Sequence, residues 1–156
     1  MSEIYLQLAV SEDVRLLQDS ALAAFAADID KYGALPPNIE SKEWFNSEVG
    51  KGNFYKVICH GEFAGAICVE CSDHSSIEIK FVYIAQKFQN KHIGSEVMRL
   101  IENQYSHIKY WSLFTPYKSY RNHHFYEKLG YKKVGEFQPD ASDEFMVFEY
   151  AKTLMC

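Results

Sequence analysis

A chain of 156 residues with 47% apolar and 15% aromatic side chains can bury one domain core, which excludes disorder as a description of the whole. Its formal net charge of −5 disfavours a nucleic-acid partner, since phosphate binding wants a basic surface, and mildly favours a cationic one through long-range attraction. We expect a single domain over residues 1–156 with no membrane partner: the start carries no basic leader, and no apolar stretch approaches the roughly 20 residues of a span. Of the cysteines, Cys68 and Cys71 form a C-x-x-C, but no second pair follows and Cys68 sits in the apolar run 65–70. The expectation is ordinary reduced thiols on a strand, in keeping with a cytoplasmic protein, rather than a zinc or redox pair; Cys59 and Cys156 complete the set.

Residues 4–10 read as a short strand. Ser11, followed by Glu12 and Asp13, looks like a helix cap with acids at the positive end of the dipole. Val14, Leu17, Ala21, Phe25 and Ile29 then recur at helical spacing, with a stop near Gly33 and a rigid turn at Pro36-Pro37. Residues 41–49 read as a second helix directing Trp44 and Phe45 to the core. Residues 54–60 and 63–70 form a hairpin through Gly61-Glu62. Residues 77–84 are a third strand, with Ile77, Ile79, Phe81 and Tyr83 on one face and Glu78, Lys80, Val82 and Ile84 on the other. A helix over 93–107 carries the stripe Val97, Leu100, Ile101 and Tyr105. A strand over 110–115 ends at Pro116, a helix over 120–129 is stopped by Gly130, and strands over 132–137 and 145–151 close the chain. The order is strand, two helices, three strands, helix, strand, helix, two strands. It implies an α/β fold, mixed α+β, with a largely antiparallel mixed sheet and helices on both faces.

Two segments carry chemistry. In residues 81–95, F-V-Y-I-A-Q-K-F-Q-N-K-H-I-G-S, an apolar strand enters a polar loop, and Gly94 and Ser95 open a helix. A helix N-terminus leaves N–H groups unpaired under partial positive charge, so an anion can dock there, with Lys91 and His92 adding charge or hydrogen bonds. The same pattern fits a plain strand–loop–helix crossover. It is neither a Walker loop, lacking G-x-x-x-x-G-K, nor a dinucleotide fingerprint, having one glycine. The second segment, residues 119–131, reads S-Y-R-N-H-H-F-Y-E-K-L-G-Y.

Together, in this order and separation, the two segments resemble the GNAT N-acetyltransferases. The family's acetyl-CoA motif, Q/R-x-x-G-x-G/A after a strand, stands here as Gln89-Asn90-Lys91-His92-Ile93-Gly94, followed by Ser95; F-Y-E-K-L-G-Y is similar to the family's later helix. His92 occupies the place of the first glycine. Gln86 replaces a frequent proline, Ser119 a frequent Asn, and Asn122 a frequent Ala. The resemblance implies acetyl-CoA as co-substrate, held by the main chain of Val82, Tyr83 and Ile84 and by the loop. Ser119 or Asn122 would bond the pantetheine or phosphate arm, and the Tyr126 hydroxyl would lie near the sulfur as general acid.

Glu78 is the candidate base, directly or through water, being on the face of Val82 and Ile84; an ion pair with Lys80 is the competing reading. His123 and His124, adjacent on a helix, point in different directions, which favours packing or exposure over joint catalysis. His60, His74 and His107 lack metal-ligand spacing, so no metal is expected. The resemblance implies an amine of a small molecule or peptide as acceptor. Residues 32–38 would wall its site, with Phe25, Tyr32 and Trp44 lining a pocket or serving as core. A catalytically silent acyl-CoA-binding sensor is the alternative function. A homodimer through exposed strands is compatible with the pattern.

Overall fold

The structure is a computed structural model that describes residues 3–32, 38–73, 75–142 and 144–154, with main chain alone for 27–32. Among the described residues the chain forms β1 (Ile4–Leu8), α1 (Val14–Tyr32), α2 (Lys42–Gly50), β2 (Phe54–Cys59), β3 (Glu62–Ser72) and β4 (Ser76–Ile84). Then come α3 (Ile93–Gln104), β5 (Tyr110–Pro116), α4 (Tyr120–Lys128), β6 (Lys132–Phe137) and β7 (Val147–Thr153). This is the expected order. The strands form one seven-stranded sheet, β1-β2-β3-β4-β5-β7-β6. The pairs β1–β2, β2–β3, β5–β7 and β6–β7 are antiparallel and β4–β5 is parallel, so the sheet is mixed and largely antiparallel, as the sequence implies. Gly33, Pro36, Pro37, His74 and Cys156 lie outside the described residues, as do the side chains of Ile29 and Tyr32.

The chain divides into two compact units, residues 1–69 with 81–106, and 70–80 with 107–156. In the first, α1 buries Val14, Leu17 and Ala21, and α2 buries Phe45 and Val49, against Phe54, Phe81 and Tyr83. Phe25 and Trp44 pack their rings into this cluster, Phe25 on Phe81 at 5.8 Å and Trp44 on Phe45 at 5.2 Å. Both are therefore part of the core cluster, one of the two roles the sequence allows them. Ser41 caps α2, its Oγ accepting from the Trp44 N–H at 3.1 Å.

The entry to α1 differs from expectation. Ser11–Asp13 form a 3-10 turn after Val10, so Ser11 is inside the turn rather than its cap. Asp13 is the residue that accepts, taking the Val10 N–H at 2.9 Å and the Lys56 ammonium at 3.0 Å. Burial alone would raise its pKa, but the Val10 N–H and Lys56 outweigh it and hold the carboxyl below its usual range.

A buried acid at the end of α2 has no sequence signal. The Glu48 carboxylate accepts from Asn53 Nδ2 at 3.1 Å, Lys51 Nζ at 3.2 Å and the Cys68 thiol at 3.8 Å. Cys68 is thus a buried strand thiol, while Cys71 is exposed three positions on, and no disulfide joins Cys59, Cys68 or Cys71. Among the described residues no three of His, Cys, Asp and Glu form a metal-sized group, and no helix is long and apolar enough to cross a membrane.

In the second unit, Trp111 and Leu113 of β5, Tyr150 of β7, Tyr126 of α4 and Tyr131 are buried. The helix α4 stops as expected at Gly130. The glycine takes φ 97°, and its N–H donates to the Glu127 carbonyl at 3.0 Å while that of Tyr131 returns to Tyr126 at 3.0 Å. The strand β7 starts two residues later than expected and runs on to Thr153, because its pairing with β5 continues to Tyr110↔Thr153.

Candidate active site

The end of β4 is held with unusual closeness. Ile77, Ile79, Phe81 and Tyr83 are buried, while Glu78, Lys80, Val82 and Ile84 are partly exposed, as the two-residue alternation requires. The Tyr83 side chain therefore faces α1. Its hydroxyl donates to the Leu17 carbonyl at 3.0 Å and lies 2.7 Å from Ser20 Oγ, and burial pushes the phenol pKa up. On the neighbouring strand, a Cβ at Gly65 would sit 2.2 Å from the Tyr83 carbonyl oxygen. Only glycine permits this approach, and its φ of 155° is equally foreign to other residues.

After β4 a short 3-10 turn, Gln86–Phe88, leads into the loop. The Gln89 amide donates to the Ile84 carbonyl at 2.9 Å, so Gln89 braces the loop against the strand. Asn90 (φ 64°) and His92 (φ 61°) are both left-handed. His92 thus supplies the backbone shape usually left to glycine, at the N-cap of α3 and without a side-chain cap bond. The first helical bond runs from the Glu96 N–H to the His92 carbonyl at 3.3 Å, leaving the N–H groups of Ile93, Gly94 and Ser95 ahead of the helical ladder. Lys91 and His92 are exposed beside them. This terminus can receive an anion.

The left-handed His92 has a measurable cost. His92→Gly should raise stability by about 0.5 kcal/mol, the relief of roughly 1 kcal/mol of left-handed strain being partly offset by glycine's freer unfolded chain. A urea midpoint that falls instead would show that the His92 side chain is stabilising.

In the second unit Glu78 has a side chain 34% exposed, with Lys80 Nζ 3.8 Å from its Oε1; Lys80 also lies 3.7 Å from Glu70. The ion pair with Lys80 is thus present, though at this length and exposure it contributes little energy. The carboxylate keeps access to water, which suits a relayed proton better than a buried one.

On α4, Ser119 and Tyr126 stand seven residues apart, two turns along one face, and both are buried. Ser119 sits at the N-cap without making a side-chain cap bond. Its Oγ and that of Thr115 are buried with no hydrogen-bond partner, a state that costs about 1–3 kcal/mol each unless a ligand or water fills it. The Tyr126 ring packs on Tyr131 at 5.9 Å and Phe125 at 5.2 Å. Desolvation pushes its phenol up to about 12, with no hydrogen bond contributing. Asn122 is half-buried, His123 is buried and His124 exposed. The first unit thus brings Val82, Tyr83 and Ile84 together with residues 89–95, and the second brings Ser119, Asn122 and Tyr126 onto one helix, with Glu78 on β4. Gly65 and Thr115 join this set from the structure. An isolated glycine inside an apolar strand was a legible sign of close backbone approach; nothing in the sequence marks Thr115.

Known proteins share this fold. Residues 50–133 match the acetyltransferase (GNAT) domain family. The uncharacterised protein YrkN of Bacillus subtilis is 27% identical over 154 residues, covering 92% of this chain and 81% of that protein. The PaiA N-acetyltransferase of Thermoplasma acidophilum, solved with coenzyme A, superposes with a TM-score of 0.74 at 20% identity, covering 99% of this chain and 100% of the other. An acetyl transferase of Salmonella typhimurium that modifies the N-terminal serine of ribosomal protein L7/L12 gives 0.78 at 15% identity, covering 99% and 97%. With its family profile matched over more than half its length and its fold shared from end to end, the chain belongs to the GNAT acetyltransferase family.

Proposed function

We propose that the whole chain works as one catalytic domain that moves an acetyl group from acetyl-CoA to a primary amine of a small molecule or peptide. The observation that carries this reading is Tyr126, buried two turns along one face of α4 from the unpartnered Ser119 Oγ, with burial pushing its phenol up to about 12. Acetyl-CoA supplies the activated acyl group as a thioester. The residues fit its parts: the open N–H groups of Ile93, Gly94 and Ser95, with Asn90, Lys91 and His92, suit phosphate oxygens. The main chain of Val82, Tyr83 and Ile84 suits the amides of the pantetheine arm, with Gln89 holding the strand end. Ser119 Oγ, buried and unpartnered, offers a further bond to the arm, with Asn122 one turn on.

In this reading the amine nitrogen bonds to the acyl carbon, the carbon–sulfur bond breaks, and the amine's proton leaves through Glu78 by way of water. A lysine-type amine has a pKa near 10.4, so at pH 7.4 about one molecule in a thousand is neutral; that form attacks, and Glu78 through water takes the proton the nitrogen sheds as its bond to carbon forms. Full transfer from a phenol at about 12 to a thiolate whose conjugate acid lies near 8.5 is uphill by roughly 5 kcal/mol. Tyr126 therefore acts first as a hydrogen-bond donor that stabilises charge building on sulfur.

Acetyl-CoA mixed with a panel of amines and short peptides tests the reading: thiol release matched by N-acetyl product supports it, and binding without product across the panel contradicts it. Glu78→Gln should lower kcat/KM about 100-fold at neutral pH. Unaltered activity from pH 6 to 9 removes Glu78 from the mechanism.

A further inference from the structure

His123 is the buried polar group on α4 that the proposed chemistry leaves unused. It is 8% exposed, and its ring stacks on Phe148 at 5.2 Å and on Tyr150 at 5.6 Å, both from β7. An apolar side chain would satisfy that packing. An imidazole adds one thing: Nε2 lies 2.9 Å from the Pro116 carbonyl oxygen. A carbonyl only accepts, so Nε2 carries the hydrogen and donates.

That bond closes a circuit. The Pro116 carbonyl also accepts the Ser119 N–H at 3.1 Å, and the Ser119 carbonyl accepts the His123 N–H at 3.0 Å. The β5–α4 corner is therefore fixed by three hydrogen bonds running Pro116 to Ser119 to His123 and back to Pro116. The far side of the corner is tied to the residue before β7 by the Tyr117 N–H, which donates to the Met146 carbonyl at 3.0 Å. Two buried hydroxyls on the corner, Thr115 Oγ1 and Ser119 Oγ, remain outside this circuit without a partner. A rigid frame around unsatisfied polar atoms is what a preformed receptor for a ligand's polar group requires.

We propose that His123 is a positioning residue: through its Nε2 bond to Pro116 it holds the Thr115 and Ser119 hydroxyls in place for the polar arm of the acyl donor. This rests on the coenzyme reading above. Without the bond the Pro116–Ser119 turn relaxes, and the hydroxyls lose register with the arm before the chemistry is affected.

The test pairs two variants with one measurement on the unsubstituted protein. His123→Leu keeps apolar bulk and removes the donor; His123→Gln puts an amide nitrogen back at the ε position. Expected is a KM for acetyl-CoA raised about tenfold in His123→Leu with kcat nearly unchanged, and restored to within about twofold in His123→Gln. Nitrogen-15 spectra of the unsubstituted protein at alkaline pH should show the His123 Nε2–H tautomer. A leucine variant with unchanged KM, a change confined to kcat or to melting temperature, or an Nδ1–H tautomer would overturn the proposal, the last without need of a folded variant. Failure of the unsubstituted protein to bind acetyl-CoA would instead overturn the coenzyme reading, and this one with it.

Discussion

Tyr126→Phe should lower kcat about 100-fold, within the usual range for a lost proton donor, while acetyl-CoA affinity changes by less than about twofold. Phenylalanine keeps the ring that packs on Phe125, Tyr131 and Tyr150. Only the hydroxyl is lost, and desolvation alone, with no hydrogen bond, accounts for its raised pKa. No partner is orphaned, so stability should hold or rise slightly. Calorimetric melting together with steady-state kinetics reads both halves of the expectation. A less active protein that is no less stable marks a hydroxyl kept for the reaction. A fully active variant, or one that loses stability, would make Tyr126 a core residue.

Gly65→Ala should cost about 3 kcal/mol or more of stability and greatly weaken acetyl-CoA binding. The new methyl would meet the Tyr83 carbonyl oxygen at 2.2 Å and Ile84 Cα at 3.0 Å, both main-chain atoms that cannot swing aside. To make room, β3 must retreat from the end of β4, the stretch proposed to hold the pantetheine arm. Gly50→Ala is the matched control, since its Cβ would meet nothing within 4 Å. Urea unfolding should separate the two clearly. Equal stability of the two variants would mean that the β3–β4 approach has slack the structure does not show.

The frame of the molecule is legible in the sequence because it is written in local pattern. The alternation of Ile77, Ile79, Phe81 and Tyr83 against Glu78, Lys80, Val82 and Ile84 appears unchanged as buried and half-buried faces. The glycine after Leu129 ends α4 as its chemistry dictates. What escaped depends on partners remote in the chain. Glu48 looks like a surface acid on a short helix until Cys68 is brought to it. Tyr83 and the Leu17 carbonyl are 66 residues apart. Ser11 lost its expected role to Asp13, whose carboxylate reaches both Val10 and Lys56. At His92 the sequence shows only a missing glycine; the structure shows the glycine's backbone shape adopted by a histidine. The candidate site residues are legible through the order of two motifs, whereas Thr115 and the His123 bond required coordinates, since neither residue type announces an unpaired hydroxyl or a carbonyl partner.

The most direct test of the account is calorimetric titration of the protein with acetyl-CoA, with NAD as comparator. Saturable one-to-one binding of acetyl-CoA in the micromolar range is expected, and none of NAD. Its affinity should fall with rising salt, because the phosphate contacts proposed at the start of α3 would be electrostatic. Absence of binding would contradict the account, leaving a GNAT fold whose histidine-bearing loop does not receive the coenzyme.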